Sequence, residues 1–289
     1  MGSLKPMPIR SRTAVFGAAG CLVLLALVWL AAFHIGFFRH ADQSIYLQFG
    51  GLHVHSGVER VAGWFVGWFD PNPYVYLVLV PLIVALSRGR PRVVLAVAAI
   101  VLGANVTTEL LKHIAAAPRP ASLFSSGVSP LPPASWPSGH ATAAMSLVLA
   151  SVLAAPARLR PVAAGLGASL AIAVGYSVLA TGMHYPSDVL GGFLVAAIWA
   201  LAMVVALLAL ERRRPSRRTR SGPVSIRAAL GAPGAVLGAA LVLGAIVAIS
   251  RPYDVMAYAR AHEAFVVGAA GIAALSLALS TGVLLSVRR

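Results

Sequence analysis

Long apolar stretches recur through this 289-residue chain, and they constrain its fold more than any other feature. A helix of about 20 apolar residues crosses the roughly 30 Å of hydrocarbon in a bilayer. Stretches of about that length, the second of them shorter, lie near 14–36, 73–87, 93–111, 139–156, 162–182, 188–210, 229–250 and 264–286. The pattern predicts an all-α, polytopic membrane helix bundle of about eight spans.

The composition favours a membrane protein over a soluble one. Only 11% of the residues are charged, whereas soluble domains carry about 25%. The net charge of +15 would indicate nucleic acid as the partner of a soluble protein. Here, however, the basic residues form short runs between apolar stretches, which is typical of membrane topology. The expected partners are therefore membrane lipids and not nucleic acid.

The lysines and arginines predict how the chain is oriented. If the N-terminus is cytoplasmic, 17 of the 23 basic residues fall on the cytoplasmic side and 6 outside, as the positive-inside rule requires. The C-terminus is then cytoplasmic too. The chain divides into a cytoplasmic tail (1–13), a six-span core (14–210), an Arg-rich cytoplasmic loop (211–228) and two additional spans (229–289). The aromatic-rich region near 37–72 is expected to hold an interfacial helix, the alternative being an ordinary external loop.

Polar and ionisable side chains collect at the outer ends of three spans. Two cations, two histidines, a hydroxyl and a carboxylate reach one face of the membrane, together with a glycine at the start of the fourth span. The residues are Lys112 and Arg119 after the third span, Ser138, Gly139 and His140 at the start of the fourth, and His184 and Asp188 between the fifth and sixth.

This set of side chains suits a phosphate ester or anhydride. Lys112 and Arg119 would neutralise the phosphoryl oxygens. Ser138 and Gly139 lie where a helix begins, and the free amides there favour an anion. One neutral imidazole could attack phosphorus while a protonated one donates to the leaving oxygen. Because the cations take over the role of a metal, no metal ion or other cofactor is expected.

The same region predicts how one histidine is held. If the sixth span begins near Pro186, a favoured first helical position, the carboxylate of Asp188 reaches the imidazole of His184 four residues earlier. It would then fix the tautomer and stabilise the charge that forms on the ring.

At these residues the chain resembles the type 2 phosphatidic acid phosphatase family, over about residues 40–210. The superfamily also contains undecaprenyl-diphosphate and phosphatidylglycerophosphate phosphatases. The first motif, Lys-x6-Arg-Pro, is matched from Lys112, and the second, Pro-Ser-Gly-His, from Pro137. The third, Ser-Arg-x5-His-x3-Asp, is matched at Ser177, His184 and Asp188, but Val178 replaces its arginine.

The resemblance implies a six-helix core with His184 as nucleophile and His140 as acid on the leaving group. It also implies phosphate binding by Lys112, Arg119, Ser138 and Gly139. The chain is then expected to be a metal-independent lipid phosphatase of the bacterial plasma membrane, with its site facing outside. The candidate substrates are polyprenyl diphosphate, phosphatidate and phosphatidylglycerophosphate.

Val178 keeps two other functions open. In the family the arginine at this position binds phosphate, and valine has no group to do so. A phosphotransferase acting on a lipid-linked phosphate is the first alternative. A non-catalytic lipid-binding or transport protein on the same scaffold is the second. Arg251 or Arg260 on the last outer loop is a candidate to replace the missing cation.

Overall fold

The computed structural model describes residues 9–51, 56–115, 133–214, 225–250 and 252–287. Within these ranges the chain is helical, with a short 3-10 helix at Pro133–Ser135 and no strand, which confirms the all-α prediction. The α-helices are α1 (Ile9–His34), α2 (Gly36–Gly50), α3 (Ser56–Gly67), α4 (Pro71–Ser87), α5 (Pro91–Ile114), α6 (Gly139–Ala154), α7 (Arg160–Ala180), α8 (Pro186–Arg213), α9 (Ile226–Ser250), α10 (Pro252–Ala261) and α11 (Glu263–Val287).

Each predicted apolar stretch corresponds to a helix. By length and composition α1, α5, α7, α8 and α11 can cross a membrane. Together α3 and α4 pass the same test as one segment bent by 62° at its break. Among the described residues this gives five spans, or six with the bent pair, while α6 and the Leu230–Val242 part of α9 are shorter apolar helices. The polytopic helix bundle is confirmed.

Proline and glycine set the helix ends. α4, α5 and α8 each begin with proline, which needs no hydrogen-bond acceptor for its nitrogen at that position. Gly89 and Gly182 have positive φ angles of 56° and 68°, and they follow α4 and α7. After α7 the amide of Met183 donates to the carbonyl of Val178, and that of Gly182 to the carbonyl of Leu179, both at 3.0 Å. This pattern ends a helix sharply and reverses the chain toward α8.

The centre of the bundle is α6. Every residue from 141 to 150 is buried, and the helix packs against α5, α7 and α8. Glycines allow the close approach: a Cβ on Gly192 of α8 would lie 2.7 Å from the carbonyl oxygen of Ser138. A Cβ on Gly167 of α7 would lie 2.5 Å from Val148. The start of α6 is therefore held directly against the first turns of α8.

The last long helix, α11, packs into the same core. It contacts α7 and α8 and also reaches α2 and α6. The hydroxyl of Tyr176 on α7 donates to the carbonyl of Ala269 (2.6 Å), and the hydroxyl of Ser276 donates to the carbonyl of Ala168 (3.1 Å). α9 packs against α7 and α11. Thus α11 covers one side of α7 and supports the helix that leads to His184.

Polar contacts distinguish the two ends of the bundle. At one end Arg92 donates to the carbonyl of Arg214 (2.8 Å) and Arg160 donates to the carbonyl of Val287 (2.5 Å). These contacts join the starts of α5 and α7 to the ends of α8 and α11. Therefore α5 runs antiparallel to α8, and α7 runs antiparallel to α11. The other end of the bundle brings together the ends of α5 and α7 and the starts of α6 and α8.

Candidate active site

The turn after α7 carries His184. Gly182 makes this turn, and its carbonyl accepts a 3.2 Å hydrogen bond from the hydroxyl of Tyr46 on α2. Burial raises the pKa of the Tyr46 phenol, so the hydroxyl remains a donor. The ring of Tyr46 also packs on that of Tyr185, with centroids 4.6 Å apart. His184 is therefore presented by a turn that α2 holds in place.

His184 and Asp188 form a buried pair. α8 begins at Pro186, as the sequence predicts, and the Oδ2 atom of Asp188 lies 3.3 Å from Nδ1 of His184. The same oxygen accepts the amide of Tyr185 at 3.0 Å, and the Asp188 side chain has no exposed surface. A carboxylate that accepts a hydrogen bond at Nδ1 favours the tautomer with the proton on that nitrogen, which puts the lone pair of the ring on Nε2.

His140 faces His184 across a gap. The ring centroids are 6.5 Å apart and the rings are inclined at 65°. Rings this close can contact the same phosphoryl group. One imidazole can therefore act on phosphorus and the other on the leaving oxygen.

Lys112 lies beside the first turn of α6. A Cβ placed on Gly139 would be 3.4 Å from Nζ of Lys112. The ammonium group contacts Oε1 of Glu109, one turn earlier on α5, at 2.7 Å. Because a side chain on Gly139 would begin to crowd the lysine, glycine at this position lets the cation and the helix start share one small volume. The ammonium group of Lys112 and the free amides at the start of α6 both favour an anion in this volume.

Ser138 is used differently from a simple phosphate ligand. Its amide donates to the carbonyl of Asp188 (2.9 Å), and its Oγ accepts the amide of Ala141 (3.3 Å) as the N-cap of α6. Its side chain is fully buried. The amides of Gly139 and His140 in the first helical turn have no intrahelical acceptor. Ser138 thus fixes the turn, and the next two amides, which have no acceptor among the described residues, can bind an anion.

Two further carboxylates, which the sequence analysis did not assign to the site, contact it in the structure. Oδ1 of Asp70, between α3 and α4, lies 3.1 Å from Nε2 of His140. Asp42 on α2 is buried and accepts both the amide (2.8 Å) and the hydroxyl (2.7 Å) of Ser187, the residue before Asp188. Each carboxylate contacts the segment that carries one of the histidines.

The remaining predicted residues lie elsewhere. Arg119 is outside the residues that the structure describes, as is Arg251. Val178, on α7, is fully buried in the apolar core of the bundle. Arg260 is exposed on α10, which packs against α9 and α11. Within the described ranges no group of three or more His, Cys, Asp or Glu side chains could hold a metal ion.

Comparison with known proteins gives one match. The family model of the PAP2 superfamily matches residues 93–212, which run from the first turn of α5 to the end of α8. All residues of the three motifs lie in this range, whereas Arg251 and Arg260 lie outside it. The match suggests phosphatase activity on a lipid phosphate. Neither the curated proteins nor the solved structures gave a match to the chain.

Proposed function

We propose that this protein is an integral membrane lipid phosphatase that works through a phosphohistidine intermediate. One arrangement carries the proposal. His184 is oriented by Asp188 and its ring centroid lies 6.5 Å from that of His140, while Lys112 lies beside the start of α6. The matched superfamily supports the same class of reaction, hydrolysis of a phosphoric ester.

The reaction has two steps. In the first, Nε2 of His184 attacks phosphorus, the P–O bond to the lipid breaks, and protonated His140 gives its proton to the leaving oxygen. In the second, neutral His140 takes a proton from water, whose oxygen attacks the phosphohistidine. The P–N bond then breaks and inorganic phosphate leaves. Asp188 stabilises the positive charge that His184 carries in the intermediate.

Phosphate binding uses the start of α6 and nearby cations. The amides of Gly139 and His140 point out of the first turn, and Lys112 lies beside them. Ser138 holds this turn against Asp188. Arg119 follows Lys112 by seven residues and supplies a second, bidentate cation in this proposal. In the absence of substrate, Glu109 neutralises Lys112.

The apolar helices point to a substrate that is itself a lipid. Polyprenyl diphosphate, phosphatidate and phosphatidylglycerophosphate carry the required phosphate on an apolar tail, which can enter from the bilayer between helices. The proposed location is the bacterial plasma membrane, with the site on the extracytoplasmic face. The supporting observation is that Arg92, Arg160 and Arg214 lie at the end of the bundle away from the histidines.

Val178 favours a second candidate function. With a fully buried valine at the position of the family's arginine, the site has one phosphate ligand fewer. A charge-assisted hydrogen bond contributes about 1.5–3 kcal/mol, so its loss slows turnover by roughly 10- to 150-fold. A phosphotransferase, or a lipid-binding protein without turnover, would tolerate that loss better than a fast hydrolase.

The test is release of inorganic phosphate by the purified protein in detergent, measured across lipid monophosphates and diphosphates. We expect His184→Ala to abolish release and to trap no phosphohistidine. His262→Ala is the matched control: this histidine bonds to the carbonyl of Tyr258 near α10, so wild-type rates are expected. Lipid binding without release by the wild type would favour the non-catalytic alternative, and transfer of phosphate to an added alcohol would favour the phosphotransferase.

Metal dependence is tested in the same assay. Because cations and imidazoles supply the chemistry, EDTA should leave the rate nearly unchanged. A strict requirement for Mg²⁺ with every substrate would contradict this mechanism.

A further inference from the structure

The two histidines of the candidate site each contact a carboxylate of their own. His184 has Asp188, four residues away on the same segment. His140 has Asp70, which comes from a different part of the chain, 70 residues earlier. The contact joins Oδ1 of Asp70 to Nε2 of His140 at 3.1 Å, within hydrogen-bonding distance.

The local sequence leaves the Asp70 carboxylate available for this contact. Asp70 is the N-cap of α4, a position where aspartate usually accepts a backbone amide of the first turn. The first turn here reads Pro71-Asn72-Pro73, and two of these three residues have no amide hydrogen. The structure accordingly has no hydrogen bond from the Asp70 side chain to its own helix. The carboxylate contacts Nε2 of His140 instead.

The position of Asp70 is fixed by the helices on either side of it. The α3–α4 pair bends by 62° at its break, and Asp70 lies at that bend. One turn further on, the buried hydroxyl of Tyr74 is 2.9 Å from Oγ of Ser146 on α6, the helix whose first turn carries His140. This contact sets both the distance and the rotation of α4 against α6. Asp70 is therefore held opposite the first turn of α6 and does not approach it by chance.

The charges around His140 show what the carboxylate does. The start of α6 and the ammonium group of Lys112 both disfavour a positive imidazole. His184 also becomes positive when it is phosphorylated. An adjacent carboxylate favours the protonated form of His140, the form that can give a proton to a leaving group.

On the basis of the proposed phosphatase function, we propose that Asp70 is the positioning residue of His140. It orients the ring through Nε2 and favours its protonated form, so that Nδ1 of His140 can give a proton to a poor leaving group. Asp70 itself touches neither phosphorus nor the leaving oxygen. The site then contains two His–Asp pairs. His184 with Asp188 serves the attack on phosphorus, and His140 with Asp70 serves the protonation of the leaving oxygen.

The contact can be tested without turnover. Diethyl pyrocarbonate acylates neutral imidazole, and mass spectrometry reports the rate at each histidine. We expect Asp70→Asn to raise the rate at His140 by about 3- to 10-fold, following the larger neutral fraction after loss of one carboxylate. His184 in the same sample is the internal control and should keep its rate, because Asp188 is unchanged. An unchanged rate at His140, or an equal rise at both histidines, would overturn the proposal.

The catalytic role is tested with two substrates that share one lipid tail. Phosphatidate releases a poor leaving group, diacylglycerol, whereas diacylglycerol diphosphate releases phosphatidate, a better one. We expect Asp70→Asn to lower kcat/KM for phosphatidate by roughly 10- to 100-fold, part of the 10²–10⁴-fold that general acid catalysis contributes. The loss on the diphosphate should be much smaller, and Asp70→Glu should restore part of the activity on phosphatidate.

Asp254→Asn, an exposed acid on α10, is the matched control and should leave both rates unchanged. Equal losses on the two substrates would show a structural role only and overturn the positioning role. If the wild type releases phosphate from no lipid phosphate, the proposed function fails. The acylation result would still decide whether Asp70 controls the charge of His140.

Discussion

Val178 is the residue at which this chain differs most from the motif it resembles, and it is also fully buried. If the site lacks one phosphate ligand, Val178→Arg should restore it and raise kcat/KM by up to roughly 10- to 150-fold, or about 1.5–3 kcal/mol. Steady-state kinetics measure the gain. Val178→Met is the matched control, because it changes the packing without adding charge, and no gain is expected.

A fall in activity for a folded Val178→Arg protein would contradict this prediction. It would indicate that another cation already neutralises the phosphate. Arg260→Ala should then lower activity by a similar factor.

Asp42 illustrates a contact that stabilises the site from outside its motifs. Asp42→Ala removes the acceptor for both the amide and the hydroxyl of Ser187. We expect a loss of about 1–3 kcal/mol in unfolding free energy, because a buried amide loses its partner. Activity should fall with it. Ser187→Ala removes only the hydroxyl contact and should cost about 0.5–1.5 kcal/mol. Thermal unfolding in detergent compares the two, and an equal or smaller loss for Asp42→Ala would refute the account.

The two extra carboxylates also show where prediction from the sequence ends. The contact of His184 with Asp188 is predictable, because both residues lie within one helical turn of a proline that starts α8. Asp42 lies 145 residues from Ser187, and Asp70 lies 70 residues from His140. No local spacing predicts such pairs. The run Asp-Pro-Asn-Pro was a usable signal that the Asp70 carboxylate would not cap its own helix.

At the scale of elements, the positions of the eight long apolar helices could be predicted from hydropathy, but those of α2, α3 and α10 and the packing of all of them could not. Apolar length and prolines give the boundaries of α5, α7 and α8 within a few residues. The burial of α11 against α7 depends on Tyr176, Ser276 and the small residues opposite them, which look like any other membrane span in sequence.

Two glycines on α11 test whether this helix supports the site. A Cβ on Gly268 would lie 2.7 Å from Ile45 of α2, whereas one on Gly271 would meet nothing within 4 Å. Gly268→Leu should push α11 away from α2 and lower both the melting temperature and the activity, with a stability cost of about 1–3 kcal/mol. Gly271→Leu, on the same helix, should change neither. If both variants behave like the wild type, α11 does not support α2.

At the scale of the whole molecule, the orientation in the membrane is the main prediction still to be tested. With the Cys21→Ala background, a cysteine at Ala134 should react with an impermeant maleimide from outside the cell. A cysteine at Arg214 should react only after the membrane is opened. Both positions are exposed in the structure. Labelling of Arg214→Cys from outside would reverse the orientation and place the site in the cytoplasm.

The contacts of Asp42 and Ser138 also impose an order on biosynthesis. The amide of Ser138 cannot form its hydrogen bond until Asp188 has been synthesised. Asp42 likewise cannot contact Ser187 until that residue leaves the ribosome, 145 residues later. A nascent chain that has inserted only α1 to α7 therefore lacks the contacts of Asp42 with Ser187 and the hydrogen bond that anchors the turn before α6. Under the proposed mechanism such a chain cannot hydrolyse a lipid phosphate, however correctly its earlier helices are inserted. Activity begins only when the first turn of α8 is in place.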